Sequence, residues 1–159
     1  MAYALFALLP GCPIAALALA GYGLGRHRLR QAGLQERLRS LAALLGAVAA
    51  AVCTVGLLCL TGAILETDDS GADSSPLLPC RVAGHPERAA HVTGYRVEYV
   101  PLRFVCETAD GGGYRAAAVP GWVNPAAAGF ALAAVVCACA AAVEGERRAR
   151  RAAAAAQSS

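Results

Sequence analysis

Apolar positions in this chain fall into three unbroken blocks, residues 2–24, 41–65 and 125–143. Each is long enough for a helix across a bilayer, which takes roughly 20 apolar residues. The pattern predicts a mainly α membrane protein with three transmembrane helices at those positions. Residues 25–40 and 66–124 form the two connecting loops, and residues 144–159 form a tail. No charged residue interrupts any block. Ionisable groups within a span usually mark ion paths or proton relays, so the spans offer little polar lining for a subunit of a membrane transport complex, which is kept as an alternative. They also hold no His for axial haem ligation.

Within the longer loop the period changes. Tyr95, Val97 and Tyr99 alternate with Arg96 and Glu98, which is the period of a strand. Leu102, Phe104 and Cys106 continue the alternation on even numbers, so the parity slips at Val100-Pro101. A bulge or edge kink at the proline would keep one face apolar. Residues 110–113, Asp-Gly-Gly-Gly, read as a turn, and residues 114–119 as the returning strand of a β-hairpin. A third short strand is expected near Arg81-Val82. The acidic, Ser-rich stretch 67–75 reads as a linker.

At the entry to the third block, Asn124 suits a helix N-cap and Pro125 the first helical position. Trp122 stands where an interfacial aromatic belongs. Pro10 and Pro13 are tolerated in a span where neighbouring helices satisfy the freed backbone groups. Gly21 and Gly25 are spaced for close helix approach, and Ala42, Gly46 and Ala50 repeat that spacing in the second block. Homo-oligomerisation is left open by these spacings.

Charge gives the predicted spans a direction. Residues 26–40 carry five Arg and one Glu, and the tail carries four Arg and two Glu. The loop 66–124 carries eight acids and five Arg. Both basic segments should be cytoplasmic by the positive-inside rule. With three spans the two placements agree, giving an outside N-terminus, a cytoplasmic C-terminus and an extracytoplasmic loop 66–124. The arginine runs are juxtamembrane, which favours this reading over nucleic-acid binding. A cleaved signal would carry its basic region before the apolar run, and here the positive charge follows it. The apolar fraction of 57% and mean hydropathy of +0.49 exceed the roughly 45–50% apolar content of soluble domains.

An extracytoplasmic loop changes the reading of its cysteines. Cys80 and Cys106 are the only two in 66–124, and in an oxidising compartment they should pair. A loop domain this small is marginal without such a staple. The sequence separation and the lack of a CxxC favour a structural bridge over a thiol-redox accessory role, which is retained as an alternative. Cys12, Cys53, Cys59, Cys137 and Cys139 lie in apolar blocks, where Cys behaves as a small hydrophobe. His85, Glu87 and His91 match no tight metal-site spacing, and there is no nucleotide-binding or hydrolase motif. No metal, cofactor or catalytic residue is expected. Tyr95, Tyr99, Tyr114 and Trp122 are the aromatic candidates for a contact surface, each with a competing role in the small core or as an interfacial anchor.

The residues 95–107, then Asp110-Gly111, then the 119–125 stretch Val-Pro-Gly-Trp-Val-Asn-Pro resemble a group of small multi-pass membrane proteins of high-GC Gram-positive (actinobacterial) bacteria. That resemblance implies a plasma-membrane location and an outer loop with paired cysteines, and carries over no activity. The expected function is non-enzymatic: a multi-pass protein of the cell membrane, seated in the lipid bilayer, displaying a disulfide-stabilised loop to a membrane or envelope protein.

Overall fold

The computed structural model describes residues 2–27, 33–69, 78–81 and 90–157. Three long helices dominate: α1 (Ala2–His27), α2 (Leu34–Asp69) and α3 (Val123–Gln157). Between α2 and α3 lie a short 3-10 turn (Leu78–Cys80) and the strands β1 (Val92–Tyr99), β2 (Leu102–Thr108) and β3 (Gly113–Arg115). All three helices contain stretches long and apolar enough to cross a membrane: Ala7–Gly25, Leu34–Thr67 and Val123–Gln157.

Each helix outruns its apolar block. α1 continues through Pro10 and Pro13. α2 starts at Leu34 because the Gly33 carbonyl accepts from Glu36 and Arg37 N–H, at 3.0 and 3.2 Å. Its polar first turns are strong helix formers, and Arg39 pairs with Glu36 at 3.7 Å. At the other end α2 takes in residues 67–69, the start of the expected linker; residues 70–75 lie outside the described residues. α3 runs on past residue 143 as an alanine-rich helix. Arg148 bonds Glu144 at 3.2 Å and Arg150 lies 3.9 Å from Glu146, the i,i+4 spacing that supports exposed helices.

The chain divides into two compact units. One comprises residues 10–52 and 126–159. Here Ala43, Ala47 and Ala141 are buried. The close approach of α1 to α2 is at Gly23, where a Cβ would meet Leu44 Cγ at 2.8 Å and the Ser40 carbonyl at 3.2 Å. The expected pair Gly21 and Gly25 has nothing within 4 Å. Two residues' rotation on a helix turns a side chain through roughly 200°, so Gly23 faces inward where the spaced pair cannot. Gly46 does lie at a contact, with Leu19 Cδ1 at 3.3 Å from its notional Cβ.

The second unit comprises residues 1–9 and 53–125. Its core joins Leu57, Leu60 and Ala63 of α2 to Cys80, Leu102, Phe104, Cys106, Ala116 and Val123, all buried. The sheet is antiparallel in the order β1-β2-β3. Val100-Pro101 is the turn of a hairpin, with a cis peptide bond, rather than a kink within one strand. Tyr95 faces Cys106, Val97 faces Phe104 and Tyr99 faces Leu102. A two-residue turn makes odd positions of one strand face even positions of the next, which is why the parity slips while one face stays apolar. The third strand is Gly113–Arg115, shorter than the expected 114–119. Near residue 81 there is a 3-10 turn ending at Cys80 and then irregular Arg81, where a strand was expected; Val82 lies outside the described residues. The second turn is held by Thr108 N–H to Gly112 carbonyl and Gly111 N–H to Thr108 carbonyl, both 3.0 Å. Gly111 has φ +74°, a conformation glycine adopts without Cβ cost.

Candidate functional site

The inward face of the sheet is organised around Cys106. It is disulfide-bonded to Cys80 with Cα atoms 6.0 Å apart, closing 26 residues of chain. Tyr95 flanks it on β1 and Tyr114 on β3. Tyr95 stacks on Phe104 with ring centroids 5.1 Å apart and planes 13° apart. The Tyr114 hydroxyl donates to the Cys80 carbonyl, so β3 grips the 3-10 turn that carries the bridge. Both cysteines are wholly buried. Thiol–disulfide exchange needs a thiolate to reach a sulfur, which burial of both cysteines disfavours.

The expected contact residues therefore separate. Tyr95 and Tyr114 belong to the packing around the bridge, and Tyr99 is half-buried opposite Leu102. Trp122 is exposed. The opposite face of the sheet carries the charge: Arg96, Glu98, Arg103, Glu107 and Arg115. Arg96 donates to Glu98 at 3.2 Å and lies 4.0 Å from Glu107. Arg103 stands directly opposite Glu98, yet its buried Nε has no hydrogen-bond acceptor among the described residues. Exposed pairs of this kind contribute at most about 1 kcal/mol. They define a face patterned with both signs of charge.

Two features were not legible locally. Asn124 sits in the first turn of α3, one residue inside its start at Val123, and its amide reaches β2. Its Oδ1 accepts from Leu102 N–H at 2.9 Å, and its Nδ2 donates to the Leu102 carbonyl at 3.0 Å. The Phe104 carbonyl accepts from Ala116 N–H on the β3 side. By the two-residue period Leu102 presents its backbone groups to that same side, one rung beyond the end of β3, and Asn124 supplies the rung. The second feature is an open cleft of about 670 Å³ lined in part by Glu66, Arg81 and Arg115 together with Cys59, Gly62 and Ala63. Its charged residues are 15 and 34 positions apart along the chain, so no local motif announces it.

For metal binding, His91 lies exposed in the turn before β1, while His85 and Glu87 lie outside the described residues. Among the described residues no three His, Cys, Asp or Glu side chains group closely enough to hold an ion. The chain matches no protein-family model, no curated protein and no solved structure.

Proposed function

We propose that this is a plasma-membrane protein that crosses the lipid bilayer three times and displays its sheet outside the cell as a recognition surface, without catalytic activity. The N-terminus is outside, the arginine-rich segment and C-terminal tail are cytoplasmic, and the partner is a membrane or envelope protein. The observation that carries this reading is the buried Cys80–Cys106 bridge within a three-stranded sheet. Such a bridge suits an oxidising compartment, and charge asymmetry independently assigns its loop there. The bridge and the inward tyrosines consume the apolar face, so the face offered to a partner is the one bearing Arg96, Glu98, Glu107 and Arg115.

The test is topology mapping with reporter fusions after Arg39, after Asp73 and at the C-terminus. Only the Asp73 fusion should give an external signal. An external signal from the Arg39 fusion overturns the orientation. Photo-crosslinkers at Arg96 and Glu107 should then yield a discrete adduct that one at Gly111 does not. The thiol-redox alternative separates cleanly: it requires a Cys80→Ser protein that stays folded and loses activity, whereas a structural bridge requires one that misfolds.

A further inference from the structure

We infer that the hairpin tip Val100-Pro101, with Tyr99 and Trp122, is seated in the headgroup region of the outer leaflet, and that α2 leaves the bilayer near Gly56. The inference rests on the three-span reading. It moves the outer edge of the second span inward from residue 65, so the last turns of α2 are a stalk packed on one side against the sheet.

Three observations converge. First, β2, α2 and α3 meet at one level. A Cβ on Gly56 would lie 2.7 Å from Leu102 Cδ1 and 2.9 Å from Val123 Cγ1. α3 begins at that point, so α2 beyond Gly56 runs beside the sheet. Leu57, Leu60, Ala63 and Thr67 are buried along one side of this stretch, the one-sided burial of a helix packed in a small domain.

Second, helix lengths fit. At their other ends α2 and α3 also meet, since a Cβ on Gly145 would lie 2.6 Å from Gln35 Nε2. Gln35 to Gly56 spans 21 residues of α2 and Val123 to Gly145 spans 22 residues of α3. At 1.5 Å per residue these are about 32 and 33 Å, and a bilayer core is about 30 Å thick. That length includes the polar run 35–39 as its innermost turn, from which Arg37 and Arg39 can extend their charged ends to the headgroups and water. A span reaching residue 65 would instead bring the whole inward face of the sheet to membrane depth.

Third, exposed apolar residues lie beside this junction, as others do along the helices. Val100 is 95% exposed and Trp122 55% exposed, although each lies within two residues of a side chain packed against Gly56. Tyr99 completes the group from β1. Amphipathic aromatics gather at the headgroup level, which also suits an apolar tip beside a helix entry.

Depth-resolved tryptophan quenching tests this in full-length protein in phosphatidylcholine vesicles. Trp122 is the chain's one tryptophan, so wild type reports directly. Trp122→Phe protein carrying Val100→Trp, Leu65→Trp or Leu132→Trp reports three further positions, all exposed and so tolerant of the exchange. Emission from position 122 and from position 100 should be blue-shifted and lost to lipids brominated near the headgroup. Position 132 should be lost to lipids brominated deep in the chain. Position 65, about 14 Å beyond Gly56 along α2, should lose its emission to aqueous iodide and not to brominated lipid. Lipid quenching at 65, or iodide quenching at 100 and 122, overturns the inference while leaving three spans intact. Failure of lipid quenching at 132 overturns the membrane reading itself.

Discussion

The side-chain amide of Asn124 bonds both backbone groups of Leu102, 22 residues away. Leu102 is 8% exposed, so its backbone groups have little water to turn to if that amide is lost. A buried polar group left unpaired costs about 1–3 kcal/mol. Asn124→Ala should therefore lower stability by about 2–6 kcal/mol for the two groups together. Asn124→Asp keeps an acceptor for the Leu102 N–H but sets an oxygen against the carbonyl, so it should rescue little. Thermal unfolding in detergent, followed by the near-ultraviolet signal of the aromatic cluster, measures this. An Asn124→Ala protein that melts with wild type would show that the rung carries no load.

Gly56 and Gly62 stand on the same helix and should respond oppositely to alanine. At Gly56 the new methyl meets Leu102 and Val123 below 3 Å. Leu102 is held by Asn124 and Val123 is wholly buried, so neither can retreat cheaply. Overpacking of this kind costs about 1–3 kcal/mol. Gly62 has nothing within 4 Å, and alanine there gains up to about 1 kcal/mol of helix propensity. The pair is compared by unfolding in the same detergent. Shifts of the same sign would mean that the Gly56 junction is loosely packed.

The contrast between what local pattern reveals and what it hides runs through these residues. The three apolar blocks are visible through their length, and the alternation about Tyr95–Tyr99 and Leu102–Cys106 through the strand period. The slip at Val100-Pro101 is visible too, but a bulge and a turn produce the same slip. Only the pairing of Tyr99 with Leu102 distinguishes them. Cys80 and Cys106 could be matched because the loop holds no other cysteine. Asn124 matches the local pattern of an N-cap, although α3 begins one residue earlier, and that match hides its bond to a strand. Gly56 is one glycine among 17, and nothing nearby in sequence marks it as the meeting point of two distant segments.

Removing the bridge should destabilise the outer unit strongly. Closing 26 residues constrains the unfolded chain by about 3 kcal/mol in the loop-entropy account. Cys80→Ser and Cys106→Ser should each lose that stabilisation, and the double variant should be no worse than either alone. Protease sensitivity of the loop in intact cells measures it. Equal resistance in wild type and variants would remove the bridge from the fold's support.

Tyr114 and the bridge secure the same 3-10 turn, so their effects should be coupled. Tyr114→Phe removes the hydroxyl that donates to the Cys80 carbonyl, at a cost of about 1 kcal/mol while the turn is held in place. Without the disulfide, Cys80 keeps that hydroxyl bond and the packing around it, and the turn can swing away once released. The carbonyl then finds water, and the hydroxyl's contribution falls. Groups in direct contact typically show interaction energies of about 0.5–3 kcal/mol. A double-mutant cycle of Tyr114→Phe against Cys106→Ser, read by chemical unfolding in detergent, should give a coupling in that range. Strict additivity would mean that the bridge and the tyrosine hold the turn independently, and that the 3-10 turn keeps its place on the sheet even when Cys80 is free.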